Sequence, residues 1–157
     1  DDGDDGDDDS TTTRITITDG HPDSVAKNQA HIERNQLKNT TSRLLLWNNH
    51  HDKTEKEHVD LVLVSDCLFM QHFHEDLARL LAHLLKAQTG MAIFCQPKRH
   101  DSLQNFVNIL EKETFQVELL ERYNEDIWKQ HQQYLQDSTQ LYDANIHYPQ
   151  MLLVRKL

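Results

Sequence analysis

The sequence predicts an α/β domain: a doubly wound, largely parallel sheet with helices on both faces. Three observations predict it. The first is Leu61–Val64, a short apolar run ending in a carboxylate at Asp66. A run this short and uninterrupted suits a strand buried on both faces, as in parallel sheets. The second is an earlier strand–acid unit, Arg14–Asp19, with alternating isoleucine and threonine. The third is a regular alternation of strand and helix patterns along the chain. Open α/β sheets bind ligands at the carboxyl ends of their strands. Asp19 and Asp66 therefore sit where chemistry is expected, which points to a cofactor-binding domain.

The elements follow in order. Arg14–Asp19 is favoured as a strand by β-branching, and Gly20–Pro22 turns the chain. A helix is predicted from Asp23 to about Lys38, with Asp23 and Ser24 at its start. The strand Arg43–Trp47 precedes a polar loop containing His50, His51 and Asp52. After the strand Asp60–Ser65, a helix over Glu75–Gln88 places Leu77, Leu80, Leu81, Leu84 and Leu85 on one face, with Gly90 just past its end. Strand Met91–Cys95, helix Ser102–Glu113 and strand Gln116–Arg122 follow. Asn124–Tyr142 is polar and helical, and His147-Tyr148-Pro149 introduces a final strand, Met151–Lys156.

Charge and composition exclude several classes. Of the net charge of −10, seven aspartates fall in residues 1–9, so the remainder is near −3. Residues 1–13 are acidic and of low complexity and are predicted to stay disordered. They fail as an EF-hand loop, because Gly3 and Thr12 occupy ligand positions. No basic stripe argues for nucleic acid, and no apolar run approaches the ~20 residues that span a bilayer. The acidic start does not read as a secretory leader. Cys67 and Cys95 read as buried, reduced thiols of an intracellular protein. His50-His51-Asp52 and His72-Phe73-His74 read as solvated histidines, since zinc needs three or four convergent ligands. No metal site is expected.

Four motifs carry a resemblance: TDG at Thr18–Gly20, LLW at Leu45–Trp47, SDCLF at Ser65–Phe69 and IHYPQMLLV at Ile146–Val154, the last entered through NIHYP at Asn145–Pro149. In this order they resemble the seven-β-strand S-adenosylmethionine-dependent protein-lysine methyltransferases, in particular the calmodulin-methylating branch. The resemblance covers residues 14–157, which it makes a partial class I methyltransferase domain. It implies a Rossmann-like sheet of order 3-2-1-4-5-7-6, S-adenosylmethionine as cofactor and calmodulin as protein substrate. A monomer when complete is expected, in the cytoplasm with the nucleus as a second location; charge and hydropathy, as above, give no membrane or nucleic-acid partner.

The resemblance assigns roles residue by residue. It makes Asp19 the acceptor for the cofactor's ribose hydroxyls, against a turn or capping aspartate. Trp47, closing its strand, lies against the adenine, against simple core packing. Ser65 lines the cofactor pocket through its backbone. Asp66 orients the substrate lysine, against a helix cap, and Phe69 walls the lysine channel with its ring face. Tyr148 stands near that channel or fixes the turn into the last strand, as does His147. Lys98-Arg99-His100 is the one local cluster that would dock an acidic substrate.

One family feature has no counterpart. Of four glycines, Gly3 and Gly6 lie in the acidic run, leaving Gly20 and Gly90. The family's first strand and its glycine-rich turn are therefore missing. In the family sheet that strand is central, so its loss predicts a 3-2 pair and a separate 4-5-7-6 group. Apolar edges at Ile15, Ile17 and Leu61–Val64 would then be exposed. The expectation is the C-terminal part of a longer enzyme. The alternative is a non-catalytic truncated form that at most binds a partner. A flavodoxin-like nucleotide-binding domain fails for lack of phosphate-binding glycines.

Overall fold

A computed structural model describes residues 13–48, 59–139 and 141–157. The acidic run 1–12 and the His50-His51-Asp52 group lie outside the described residues. The chain forms two compact units, one through Trp47 and one from Asn48.

The first unit is a single β–α–β turn. Strands β1 (Ile15–Asp19) and β2 (Thr40–Leu44) pair in parallel, Ile15 opposite Thr40, across helix α1 (Pro22–Arg34). The helix begins one step earlier than Asp23: His21 caps it, its Nδ1 accepting the Asp23 N–H at 3.2 Å, with Pro22 in the first turn. It also ends earlier, at Arg34 rather than Lys38. Gln36 takes φ 52°, its N–H reaches the Glu33 carbonyl, and the Leu37 N–H reaches Ile32. That is a Schellman ending with glutamine where glycine is usual, so the sequence carried no stop signal. The next strand consequently starts at Thr40 and stops at Leu44. Trp47 does not close it but lies three residues beyond, half-buried.

The second unit is a mixed sheet. Its strands are β3 (Leu61–Ser65), β4 (Met91–Pro97), β5 (Phe115–Leu120) and β6 (Pro149–Lys156), in the order β3-β4-β6-β5. β3 and β4 are parallel, and β6 runs antiparallel to both neighbours. This is the expected 4-5-7-6 group. Helices α2 (His74–Leu84), preceded by a 3-10 turn at Gln71–Phe73, and α3 (Ser102–Leu110) make successive crossovers in the same direction. Right-handed crossovers running one way put both helices on one face. There Phe94 of β4 meets Phe106 of α3 at 5.4 Å, and Ala92, Leu152 and Val154 are fully buried. On the opposite face Met91, Ile93, Met151 and Leu153 are only half-buried. Helix α4 (Glu125–Gln136) starts at Asn124, whose Oδ1 accepts the Asp126 and Ile127 N–H groups. A short helix α5 (Ala144–His147) leads into β6, which starts at Pro149, two residues before the predicted Met151.

The edges decide burial. β3 is not buried on both faces: Leu61 is 47 % exposed and Leu63 72 %, because β3 has only β4 beside it. Ile15 and Ile17 of β1 are also exposed. The two-sheet split and both apolar edges match the expectation drawn from the missing strand.

Two local corrections concern α2. It ends at Leu84, because Leu85 is extended and bridges Val59, with the Lys86 N–H on the Val59 carbonyl. Gly90 is not a left-handed cap; that conformation falls on Gln88, at φ 66°. Gly90 is needed for space instead: a Cβ there would lie 2.6 Å from the Lys86 backbone N and O. Gly90→Ala should therefore destabilise the protein by about 1–3 kcal/mol, read as a lower urea midpoint at unchanged slope.

Candidate active site

The site is built at the carboxyl end of β3. The Asp66 N–H continues the ladder to the Cys95 carbonyl at 3.1 Å. The residue then turns into a left-handed φ of 44°, a conformation aspartate tolerates better than most residues. This swings the carboxylate onto Arg99, in the turn after β4. Arg99 Nε donates to Oδ1 at 2.8 Å and Nη2 to Oδ2 at 2.6 Å, a bidentate pair. The same guanidinium lies 5.7 Å from the Phe69 ring centroid. Phe69 itself is 55 % exposed. A carboxylate and an aromatic face thus converge on one cation.

Arg99 is held from behind. Arg99 and His100 both adopt positive φ, 44° and 58°. Their N–H groups donate to the carbonyl and the Oδ1 of Asn145, at 2.9 and 2.7 Å. Asn145 opens NIHYP, so the turn bearing Arg99 joins that motif to SDCLF. This changes the reading of Lys98-Arg99-His100 as a free docking cluster. Arg99 is committed to Asp66, and Lys98 pairs with Glu121 at 3.4 Å.

The ion pair sets the electrostatics. The Arg99 hydrogen bonds hold the Asp66 carboxyl below its ordinary range, with partial burial opposing them. The folded value is depressed, so the pair's contribution to stability is complete above the unfolded value near 4. It is lost as pH falls through the folded value. Asp66 is 46 % exposed, so the contribution is at most about 1 kcal/mol. Arg99→Gln should move the Asp66 titration midpoint upward in a carboxyl NMR titration. An unmoved midpoint would exclude the pair in solution. Next to Asp66, burial pushes the Cys67 thiol up to about 12, so this thiol stays neutral and is no nucleophile. Both cysteines are free thiols, and both are half-buried, not buried as expected.

The other sequence-predicted residues lie apart from this centre. Tyr148 is buried; its hydroxyl donates to the Glu121 carbonyl, and its ring stacks on His131 at 3.9 Å. Its side chain faces an aromatic group with Trp128 at 5.9 Å, and the structural role weighed for it is the one its contacts describe. Ser65, opposite Cys95 at the end of β3, has an exposed side chain on the strand's unpaired edge. In the first unit, Asp19 Oδ1 accepts the His21 N–H at 2.8 Å, the turn role weighed against function, leaving Oδ2 for another donor. Beside it, Gly20 has nothing nearer than 3.9 Å to a Cβ position, an open approach. His74 points inward to a backbone carbonyl while His72 is exposed. Among the described residues no three His, Cys, Asp or Glu side chains gather as metal ligands would.

The comparisons with known proteins bear on this strand-end site. A family model described as lysine methyltransferase matches residues 7–113, more than half of the chain and including Asp19, Trp47, Asp66 and Phe69. The chain belongs to the lysine methyltransferase family. The chain is 32 % identical over 149 residues to a calmodulin-lysine N-methyltransferase of Arabidopsis thaliana. The match covers 90 % of the chain and 49 % of the relative, so the chain spans about half that relative's length. Solved structures show the fold. An rRNA methylase of Streptococcus thermophilus has TM-score 0.59 at 14 % identity, covering 92 % of this chain and 74 % of its own. A precorrin-6y C5,15-methyltransferase of Geobacter metallireducens has TM-score 0.58 at 14 % identity, covering 92 % and 67 %. The plantazolicin methyltransferase BamL, solved with a triazolic desmethylPZN analogue and SAH, has TM-score 0.55 at 12 % identity, covering 93 % and 69 %. The chain therefore has a Rossmann-like α/β fold.

Sequence reasoning missed the roles of several residues around Asp66. Arg99 was read only as part of the Lys98-Arg99-His100 docking cluster. Gln96 had a signal: in β4 it falls on the inward period-2 face with Ala92 and Phe94, where a polar side chain is costly. Asn145 stood out only as the first residue of NIHYP; its role in the turn did not, because its partner His100 lies 45 residues away.

Proposed function

We propose that this chain carries the lysine-binding part of an S-adenosylmethionine-dependent protein-lysine N-methyltransferase that acts on calmodulin. The observation that carries the reading is the cation held between the Asp66 carboxylate and the Phe69 ring. A carboxylate beside an aromatic face suits a lysine side chain equally well, and here the chain's own guanidinium fills it. In this reading the substrate ammonium replaces Arg99 on Asp66. Asp66 and Phe69 then hold the lysine side chain in line for transfer. The carboxylate is far too weak a base to keep the lysine proton, since ordinary lysine titrates near 10.4 and aspartate near 3.9. Asp66 therefore orients the nitrogen while water takes the proton, and the neutral amine is the nucleophile.

S-adenosylmethionine, when bound, supplies the methyl group from its sulfonium. The residues present fit its adenosine end: the unused Asp19 Oδ2 for ribose hydroxyls, the open approach at Gly20, and Trp47 for the adenine. They do not fit its methionine end, for which the described residues provide no glycine-rich turn. The reading thus requires a further strand and turn, lying between β1 and β3 in the family's sheet order. The exposed apolar edges of both strands support that requirement. They equally favour a second reading, a non-catalytic form of the chain that at most binds a partner.

Calorimetry with S-adenosylmethionine and mass spectrometry of calmodulin, on this chain and on the intact natural protein, separate the readings. Cofactor binding and a methylated lysine with the intact protein alone are expected. Activity of this chain by itself would refute the need for a further strand. An intact protein that binds cofactor but leaves calmodulin unmodified would remove calmodulin as substrate. Failure of both to bind cofactor would leave the non-catalytic reading.

A further inference from the structure

Three buried polar side chains from three elements grip the loop that carries Asp66 and Phe69. Gln96 of β4 is 1 % exposed, and its Oε1 accepts the N–H groups of Cys67 and Leu68, at 2.9 and 3.2 Å. Ser102, at the start of α3, donates its hydroxyl to the Leu68 carbonyl. His74, at the start of α2, contacts the same carbonyl through Nε2 at 2.7 Å. A carbonyl only accepts, so the His74 proton is on Nε2. Ser102 and His74 are as buried as Gln96. The loop backbone is thus satisfied by side chains that reach it from beneath, not by a helix or a ladder.

Gln96 does this at a cost. The two N–H donors dictate how its amide lies, because reversing it would set the NH₂ group against both. Nε2 is then buried with no hydrogen-bond partner among the described residues. On a face shared with Ala92 and Phe94, packing alone would favour an apolar side chain.

We propose that Gln96, supported by Ser102 and His74, is a positioning residue for lysine methylation: it clamps the Cys67–Leu68 backbone so that the Asp66 carboxylate and the Phe69 ring meet the substrate lysine in register. The inference rests on the functional reading of Asp66 and Phe69 given above. None of the three clamp residues touches the reacting atoms. Their effect comes from geometry, since a displacement of ~1 Å at a transfer site costs about 100-fold in rate. Ser102 and His74 share one acceptor, so either can partly cover for loss of the other.

The test uses the intact natural protein, calmodulin and labelled S-adenosylmethionine. Gln96→Met keeps the volume and removes the acceptor; Gln96→Glu restores an acceptor oxygen. Gln96→Met is expected to lower kcat by about 30- to 100-fold, with cofactor affinity unchanged. Amide exchange at Cys67 and Leu68 should quicken, and Gln96→Glu should recover most of the rate. Should Gln96→Met fail to fold, Ser102→Ala carries the test, with a kcat loss of about 3- to 10-fold and the His74 contact retained. Wild-type kcat in a variant whose loop amides exchange faster would overturn the proposal. So would a loss of rate that tracks lost cofactor binding and is not recovered by glutamate. If wild type itself leaves calmodulin unmethylated, the functional reading fails. The clamp is then judged by amide exchange alone, and unchanged exchange in Gln96→Met would overturn it.

Discussion

Asp66→Asn in the intact protein is expected to reduce lysine methylation by about 100- to 1000-fold, while cofactor affinity stays within twofold. The amide keeps the shape of the side chain but cannot neutralise an ammonium. It also breaks the charge on which Arg99 closes, at 2.6 and 2.8 Å. Arg99→Gln should act in the opposite sense on substrate binding. The guanidinium occupies the place assigned to the lysine, in an exposed pair worth at most about 1 kcal/mol. Its removal should lower KM for the protein substrate by up to about fivefold. Steady-state kinetics on both variants, with calorimetry for the cofactor, check the pair. A lysine methylation rate unaffected by Asp66→Asn would exclude Asp66 from the site. A raised KM in Arg99→Gln would mean that Arg99 holds Asp66 for the substrate and does not compete with it.

Phe94→Ala is expected to cost about 3–5 kcal/mol, a large share of the ~5–15 kcal/mol that holds a typical domain together. Phe94 is fully buried in β4, opposite Leu152 of β6 and against Phe106 of α3. Its loss opens a cavity where sheet and helix layer meet, and rigid neighbours on both sides prevent collapse. Leu63→Ala, in β3, should change stability by less than about 0.5 kcal/mol, because that side chain is 72 % exposed. Urea unfolding of both variants checks the contrast. A small effect at Phe94 would mean that the β4–β6–α3 layer is not the core of the second unit.

Much of the architecture was legible in the residues. Short apolar runs, helical leucine spacing and strand-end acids depend on local periodicity, which a linear reading detects. The lack of a glycine-rich turn predicted two separate sheets with apolar edges, and the structure has them. What failed was local punctuation. α1 stops at a left-handed Gln36 where no glycine signals it, so β2 begins three residues early and Trp47 falls outside it. α2 gives up Leu85 to a bridge with Val59, a tertiary choice that overrides helical spacing.

The site divides the same way. The sequence by itself determined that Asp66 and Phe69 stand together at the end of an apolar strand, because strand length and motif spacing are properties of neighbouring residues. Only the tertiary structure decided that Arg99, 33 residues on, closes over that carboxylate and that Asn145 holds the turn bearing it. It alone decided that Gln96, Ser102 and His74 meet beneath the loop. Those contacts depend on which strands become neighbours and where each turn takes a positive φ. Both are settled by the packing of distant segments, and no spacing along the chain records them.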